Sequence, residues 1–202
     1  MTRLALALLA AVLAPGMAVA AGTTLATGAY ENTLMIGYDP ATGLVTGYFD
    51  MTYPGPPEMS CAFYLKGKLA GADAAIDSYY PDDPKGDLIK GSLSLQGRGK
   101  VGVRLAADHG GCGNVWQFAD ASSPLSTFAL EAAHAWTSVR VVKADKAYFY
   151  PAAGAAAHGK AYIVAGDGVG VKASQTGWDE VDYTGGKRVV SGWVRDEDLF
   201  PG

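Results

Sequence analysis

The chain has 202 residues, with 27 Gly, 10 Pro, 49% apolar residues and only 18% charged ones, against about a quarter charged in an average soluble protein. This composition excludes a disordered chain. The glycines lack an every-third-residue period, which excludes collagen and points to many tight turns between short strands. Two Cys and three His are too few for a closed four-Cys zinc site or an iron–sulfur cluster.

Residues 2 to 20 run from Thr2-Arg3 through an apolar stretch, Leu4 to Ala14, to Pro15-Gly16 and Ala18-Val19-Ala20. A charged start, a hydrophobic middle and a small-residue exit predict a signal peptide cleaved after Ala20. The apolar run falls well short of the roughly 20 residues a membrane span needs. No Cys near the cleavage point offers a lipid acceptor, so the mature protein is expected to be periplasmic or secreted. Without the leader the chain carries 15 basic and 20 acidic residues, net −5, which disfavours a nucleic-acid partner. Ala21 to Trp136 holds 7 basic and 12 acidic residues and Thr137 to Gly202 holds 8 of each. Two units are therefore predicted, an acidic one over 21–136 and a neutral one over 138–202.

In chain order, Ala29 to Tyr38 sets Tyr30, Leu34, Ile36 and Tyr38 at even positions. Asp39-Pro40-Ala41-Thr42-Gly43 turns, and Leu44 to Phe49 resumes strand composition, which makes a hairpin. The Pro-rich stretch Tyr53 to Glu58 reads as a rigid loop. Strands are predicted at Cys61 to Leu65, Ala74 to Tyr80, Asp87 to Leu95 and Val101 to Leu105, separated by Lys66-Gly67-Lys68, Pro81 to Gly86 and Gln96 to Gly99. Phe128 to Trp136 fits two turns of helix or a closing strand and then a loop, and the second is favoured because a lone short helix is marginal. The first unit is thus all-β, an antiparallel barrel or sandwich. Cys61 and Cys112, the only cysteines of an exported chain, are expected to form a disulfide.

From Thr137 the pattern sharpens into short strands at Val139 to Val142, Ala147 to Tyr150, Lys160 to Ala165, Val169 to Ala173, Trp178 to Tyr183 and Val189 to Val194, enough for a small barrel. Gly177-Trp178-Asp179-Glu180-Val181, Gly192-Trp193-Val194 and the terminal Asp196-Glu197-Asp198-Leu199 resemble the bacterial SH3-like (SH3b) domain over about residues 138–200. The first strand departs from the family, with Tyr148-Phe149-Tyr150-Pro151-Ala152-Ala153 in place of an Asn-Val-Arg-Ser-Gly-Pro type of run. The resemblance implies a non-catalytic module that binds cell-wall peptide, glycan or another protein.

Period 2 assigns faces. With Ala147, Phe149, Val181 and Val194 interior, Tyr148, Tyr150, Trp178 and Trp193 point outward, and they are the candidate ligand-binding residues. The bland alternative is that some of these rings pack against the first unit, and a linker as short as Ala135 to Ser138 predicts docked units that bury at least one ring.

Motifs for a nucleophile elbow, a zinc helix, a phosphate loop or a dinucleotide site do not occur. Asp108-His109-Gly110-Gly111-Cys112 would suit a thiol hydrolase only if Cys112 were free, and it reads more simply as a turn carrying a disulfide. Asp82, Asp83 and Asp87 lack a calcium-loop spacing. No cofactor, metal or catalytic residue is expected. The predicted function is cell-envelope binding, with peptidoglycan or an envelope protein as partner. The alternative is an inhibitor or immunity-type protein whose acidic first unit covers a basic cell-wall hydrolase.

Overall fold

The computed structural model describes residues 24–86, 88–119, 122, 124–186 and 188–202. The proposed leader and Asp87 lie outside the described residues. Eight antiparallel strands form a closed barrel in simple chain order. They are β1 (Gly28–Tyr30), β2 (Leu34–Asp39), β3 (Leu44–Tyr53), β4 (Met59–Ala70), β5 (Asp73–Tyr79), β6 (Ile89–Leu95), β7 (Lys100–Leu105) and β8 (Ser126–Ala133). β8 pairs back onto β1, Gly28 opposite Ala133, so the sheet has no free edge. The structure thus resolves the choice between barrel and sandwich, and the Phe128 segment is the closing strand.

The predicted hairpin at Asp39 is stabilised locally, with the Asp39 carboxylate accepting from the Ala41 N–H (2.9 Å) and the Thr42 hydroxyl (2.7 Å). One expectation needs correction. Lys66-Gly67-Lys68 does not separate strands, because β4 runs on to Ala70. Alternation explains it: Cys61, Phe63 and Leu65 are buried on one face, while Lys66 and Lys68 belong to the other.

The barrel is filled by side chains. Phe49, Phe63 and Phe128 from the strands meet Phe118 from the β7–β8 connection, with Phe118 edge-on to Phe49 and Phe63 at 5.0 Å each. That connection is braced internally by one carboxylate and pinned to the barrel by one disulfide. Asp108 accepts from the N–H groups of Phe118 (2.7 Å) and Ala119 (3.1 Å). The predicted disulfide joins Cys61 of β4 to Cys112, which opens a short 3-10 helix, Cys112–Asn114.

After Trp136 the chain builds a smaller β unit. A four-stranded antiparallel sheet has the order β14-β13-β12-β9, from β9 (Ser138–Val141), β12 (Gly168–Gln175), β13 (Trp178–Tyr183) and β14 (Val190–Arg195). A two-stranded sheet pairs β10 (Ala147–Tyr148) with β11 (Tyr162–Ile163). Single bridges, Tyr150 to Trp193 and Val142 to Leu199, tie the pieces together. They enclose a core of Ala147, Phe149, Ile163, Val169, Val171, Val181, Val194 and Leu199. The chain is therefore all-β, and among the described residues no helix is long and apolar enough to cross a membrane.

The two β units share a third core, in which Tyr48, Tyr64 and Tyr79 from outside the barrel meet Trp136, Val139 and Val141. Approach here is close enough to need glycine. A side chain on Gly37 would lie 2.4 Å from the Ser138 backbone, and one on Gly170 would lie 2.0 Å from the Trp136 ring. Trp136, 1% exposed, stacks on His134 at 4.5 Å and donates its indole N–H to Asp182 at 3.1 Å. Buried polar groups are matched across the junction, with the Val139 N–H donating to Thr46 Oγ1 and the Tyr64 hydroxyl donating to the Val139 carbonyl, each at 2.8 Å.

Candidate functional site: an aromatic ladder flanked by cations

The first strand of the smaller unit sets the site. Ala147 and Phe149 are buried inward, so Tyr148 points outward, and its antiparallel partner across the sheet is Tyr162. The two rings lie 5.7 Å apart. His158, from the loop joining these strands, stacks on Tyr148 at 4.0 Å and meets Tyr150 edge-on at 5.6 Å. Tyr150 in turn meets Trp178, the first residue of β13, at 4.8 Å and 80°. Five rings, Tyr162, Tyr148, His158, Tyr150 and Trp178, form one continuous ladder. A cation lies at each end: the Lys146 ammonium is 4.7 Å from the Tyr162 ring centre, and the Arg195 guanidinium is 5.6 Å from Tyr150 and 5.9 Å from Trp178.

Of the four aromatics expected to face outward, Tyr148, Tyr150 and Trp178 are brought together. Tyr150 departs from the expectation of exposure, being only 7% exposed. It lies beyond the end of β10, its backbone bridges Trp193 by paired hydrogen bonds (2.7 and 2.9 Å), and His158 and Trp178 cover its ring. It acts as the keystone of the ladder more than as a contact surface. Trp193 is half-buried on β14 and joins the ladder only through that backbone bridge among the described residues. His158, Tyr162, Lys146 and Arg195 were not anticipated. The alternation of the Lys160 to Ala165 segment offered a signal for Tyr162, but the eleven-residue loop 151–161 hides the register that sets it opposite Tyr148.

A second feature is acidic. A cleft of about 400 Å3 opens between the units, lined by Thr33, Met35, Tyr48, Asp50, Asp167 and Tyr183 among others. Asp167 accepts from the Val164 N–H (2.8 Å) and the Tyr183 hydroxyl (3.3 Å). Crowding by surrounding protein, and then the negative charge of Asp167, push the Asp50 carboxyl above its ordinary range. Burial chiefly, with both carboxylates adding, raises the Tyr48 phenol.

The remaining candidates are engaged in local contacts. Cys112 has no thiol to ionise, because its sulfur is in the disulfide. His109 is 2% exposed, hydrogen-bonded to Ser78 at 2.9 Å and stacked on Phe63. Asp83 caps its own turn through the Gly86 N–H at 2.9 Å. Among the described residues, no three His, Cys, Asp or Glu side chains gather as metal ligands. Compared with protein-family models, curated proteins and solved structures, the chain matches none.

Proposed function

We propose that this is an exported, non-catalytic cell-envelope binding protein whose smaller, SH3-like unit holds peptidoglycan or an envelope protein against the aromatic ladder. The single observation that carries the reading is the ladder itself. Aromatic rings supply broad contact area at little rotamer entropy, and a clustered aromatic face on a small domain is the usual mark of a binding site. The docked barrel supports it mechanically, since its filled interior and the shared third core hold the smaller unit as a rigid platform. The Gly-Trp and Gly-Trp-Val segments that resemble SH3b domains contribute Trp178 to the ladder and Trp193 to the backbone bridge beneath it.

Cosedimentation with purified cell-wall sacculi tests this reading. Parent protein should pellet with the sacculi, and Trp178→Ala and Tyr148→Ala should shift to the supernatant while keeping the parent melting temperature. Parent and Trp178→Ala protein staying equally in the supernatant would sink the reading. The acidic cleft, with Asp50 and Asp167 at its wall, favours as a second reading the inhibitor of a basic cell-wall hydrolase. A panel of basic muramidases assayed at low salt should then be slowed, and Asp50→Asn should weaken the effect.

A further inference from the structure

Resting on the reading of the ladder as a binding face, we infer that its ligand is an extended acidic peptide segment, its carboxylates met by Lys146 at one end of the rings and Arg195 at the other. The ring-to-ring steps from Tyr162 to Trp178 lie between 4.0 and 5.7 Å. The ladder is therefore no longer than about 20 Å, the length of about six residues of extended chain.

Charge complementarity selects the occupant. Lys146 is solvent-exposed and, among the described residues, makes no ion pair, its ammonium lying only over the Tyr162 ring. Arg195 is exposed and pairs with Glu197 at 3.3 Å, a contact with both partners in water and easily exchanged for a ligand carboxylate. Arg195 further offers a planar fork suited to binding a carboxylate through two hydrogen bonds.

The test uses the full mature chain and three kinds of sacculi: untreated, carboxyl-capped with carbodiimide and methylamine, and stripped of phosphodiester polymers with hydrofluoric acid. Binding should fall about tenfold on capped sacculi, and equally for the Lys146→Glu, Arg195→Glu double variant on untreated ones, the loss expected of two exposed ionic contacts. Binding to acid-stripped sacculi should be unchanged. Both substituted residues are exposed, so an unaltered melting temperature shows that the variant has folded. If the charge-reversed protein binds like the parent while Trp178→Ala does not, the ladder reads a neutral ligand and this inference falls while the binding face stands. Loss on acid stripping but not on capping identifies a phosphate polymer and also overturns it. If parent protein binds none of the three, the reading beneath it falls as well.

Discussion

Trp136 should govern the stability of the whole molecule, although it lies in no strand. Replacement by Ala removes an indole that is 1% exposed. Truncating a buried Trp costs about 3–5 kcal/mol, depending on how far the site collapses. Collapse is restricted here, since the floor beneath the ring is Gly170 of β12, which has no side chain to move into the space. The hydrogen bond to Asp182 goes too, but Asp182 keeps Ser191 at 2.6 Å and Lys172 at 3.1 Å, so no charge is stranded. The expected loss is therefore near the top of the range, about 5 kcal/mol, a large share of the roughly 5–15 kcal/mol by which domains are stable. Trp136→Phe keeps most of the packing and loses the indole N–H, for about 1–2 kcal/mol. Urea unfolding followed by far-ultraviolet circular dichroism reads the difference. With a slope of about 2 kcal/mol per molar urea, the midpoint should fall by about 2.5 M for Ala and by no more than about 1 M for Phe. An Ala variant within about 1 kcal/mol of the parent would refute the claim that the junction is part of one shared core.

Reducing or replacing the Cys61–Cys112 pair, 51 residues apart in sequence, should cost about 4 kcal/mol by the chain-entropy estimate. Urea midpoints with and without reductant check this, and coincident curves would contradict it. Gly170→Ala puts a methyl 2.0 Å from the Trp136 ring and should cost about 3 kcal/mol, with at least about 1 kcal/mol recovered in the Trp136→Ala background because the clash is gone. Acid should act on Asp182 and Asp50 in opposite senses. Burial alone would raise the Asp182 carboxyl, but hydrogen bonds from Ser191, Trp136 and Lys172 outweigh it and hold it below the ordinary 3.8. Its contribution is therefore present above that pH and lost as the pH falls through the lowered value, and Asp182→Asn should flatten the acid limb of a melting-temperature profile. Asp50 is raised, so its protonated form is the better tolerated one and stability declines as it ionises with rising pH. Asp50→Asn should accordingly raise the melting temperature at neutral pH, and a lowered one would contradict the assignment.

Strand alternation and turn chemistry made most of the barrel readable. Val45 and Phe49 announce an inward face of β3, and Asp39-Pro40 announces the turn before it. What alternation could not show is what covers the outer face. Thr46 and Tyr48 occupy positions that in an isolated barrel would meet water, yet both are buried because β9 and Trp136 lie over them. A short linker implied docking, but a strand reports only which residues share a face. The partner of that face is a tertiary fact. The same limit applies to the ladder. Tyr148 and Trp178 could be placed outward from the period alone, whereas Tyr162 and His158 reach them through a loop whose conformation has no periodic signal. Tyr150 shows the rule failing where a strand ends, since alternation persists only while the backbone stays extended and paired.

The seam at which the barrel closes joins β1 to β8, segments about a hundred residues apart. During synthesis the first strand made must wait for the last one. Until β8 arrives, the outer edges of β1 and of the growing sheet present unpaired backbone groups that can template pairing with a neighbouring chain. A topology this non-local folds slowly for its size, since the entropy of closing that long loop is lost before the contacts that reward it can form. Substitutions that weaken the seam, at Ala29 or Ala132 for instance, should therefore lower the yield of correctly folded protein more than they lower the melting temperature of what folds. The half-made barrel, more than the finished one, is the state in which this chain is vulnerable.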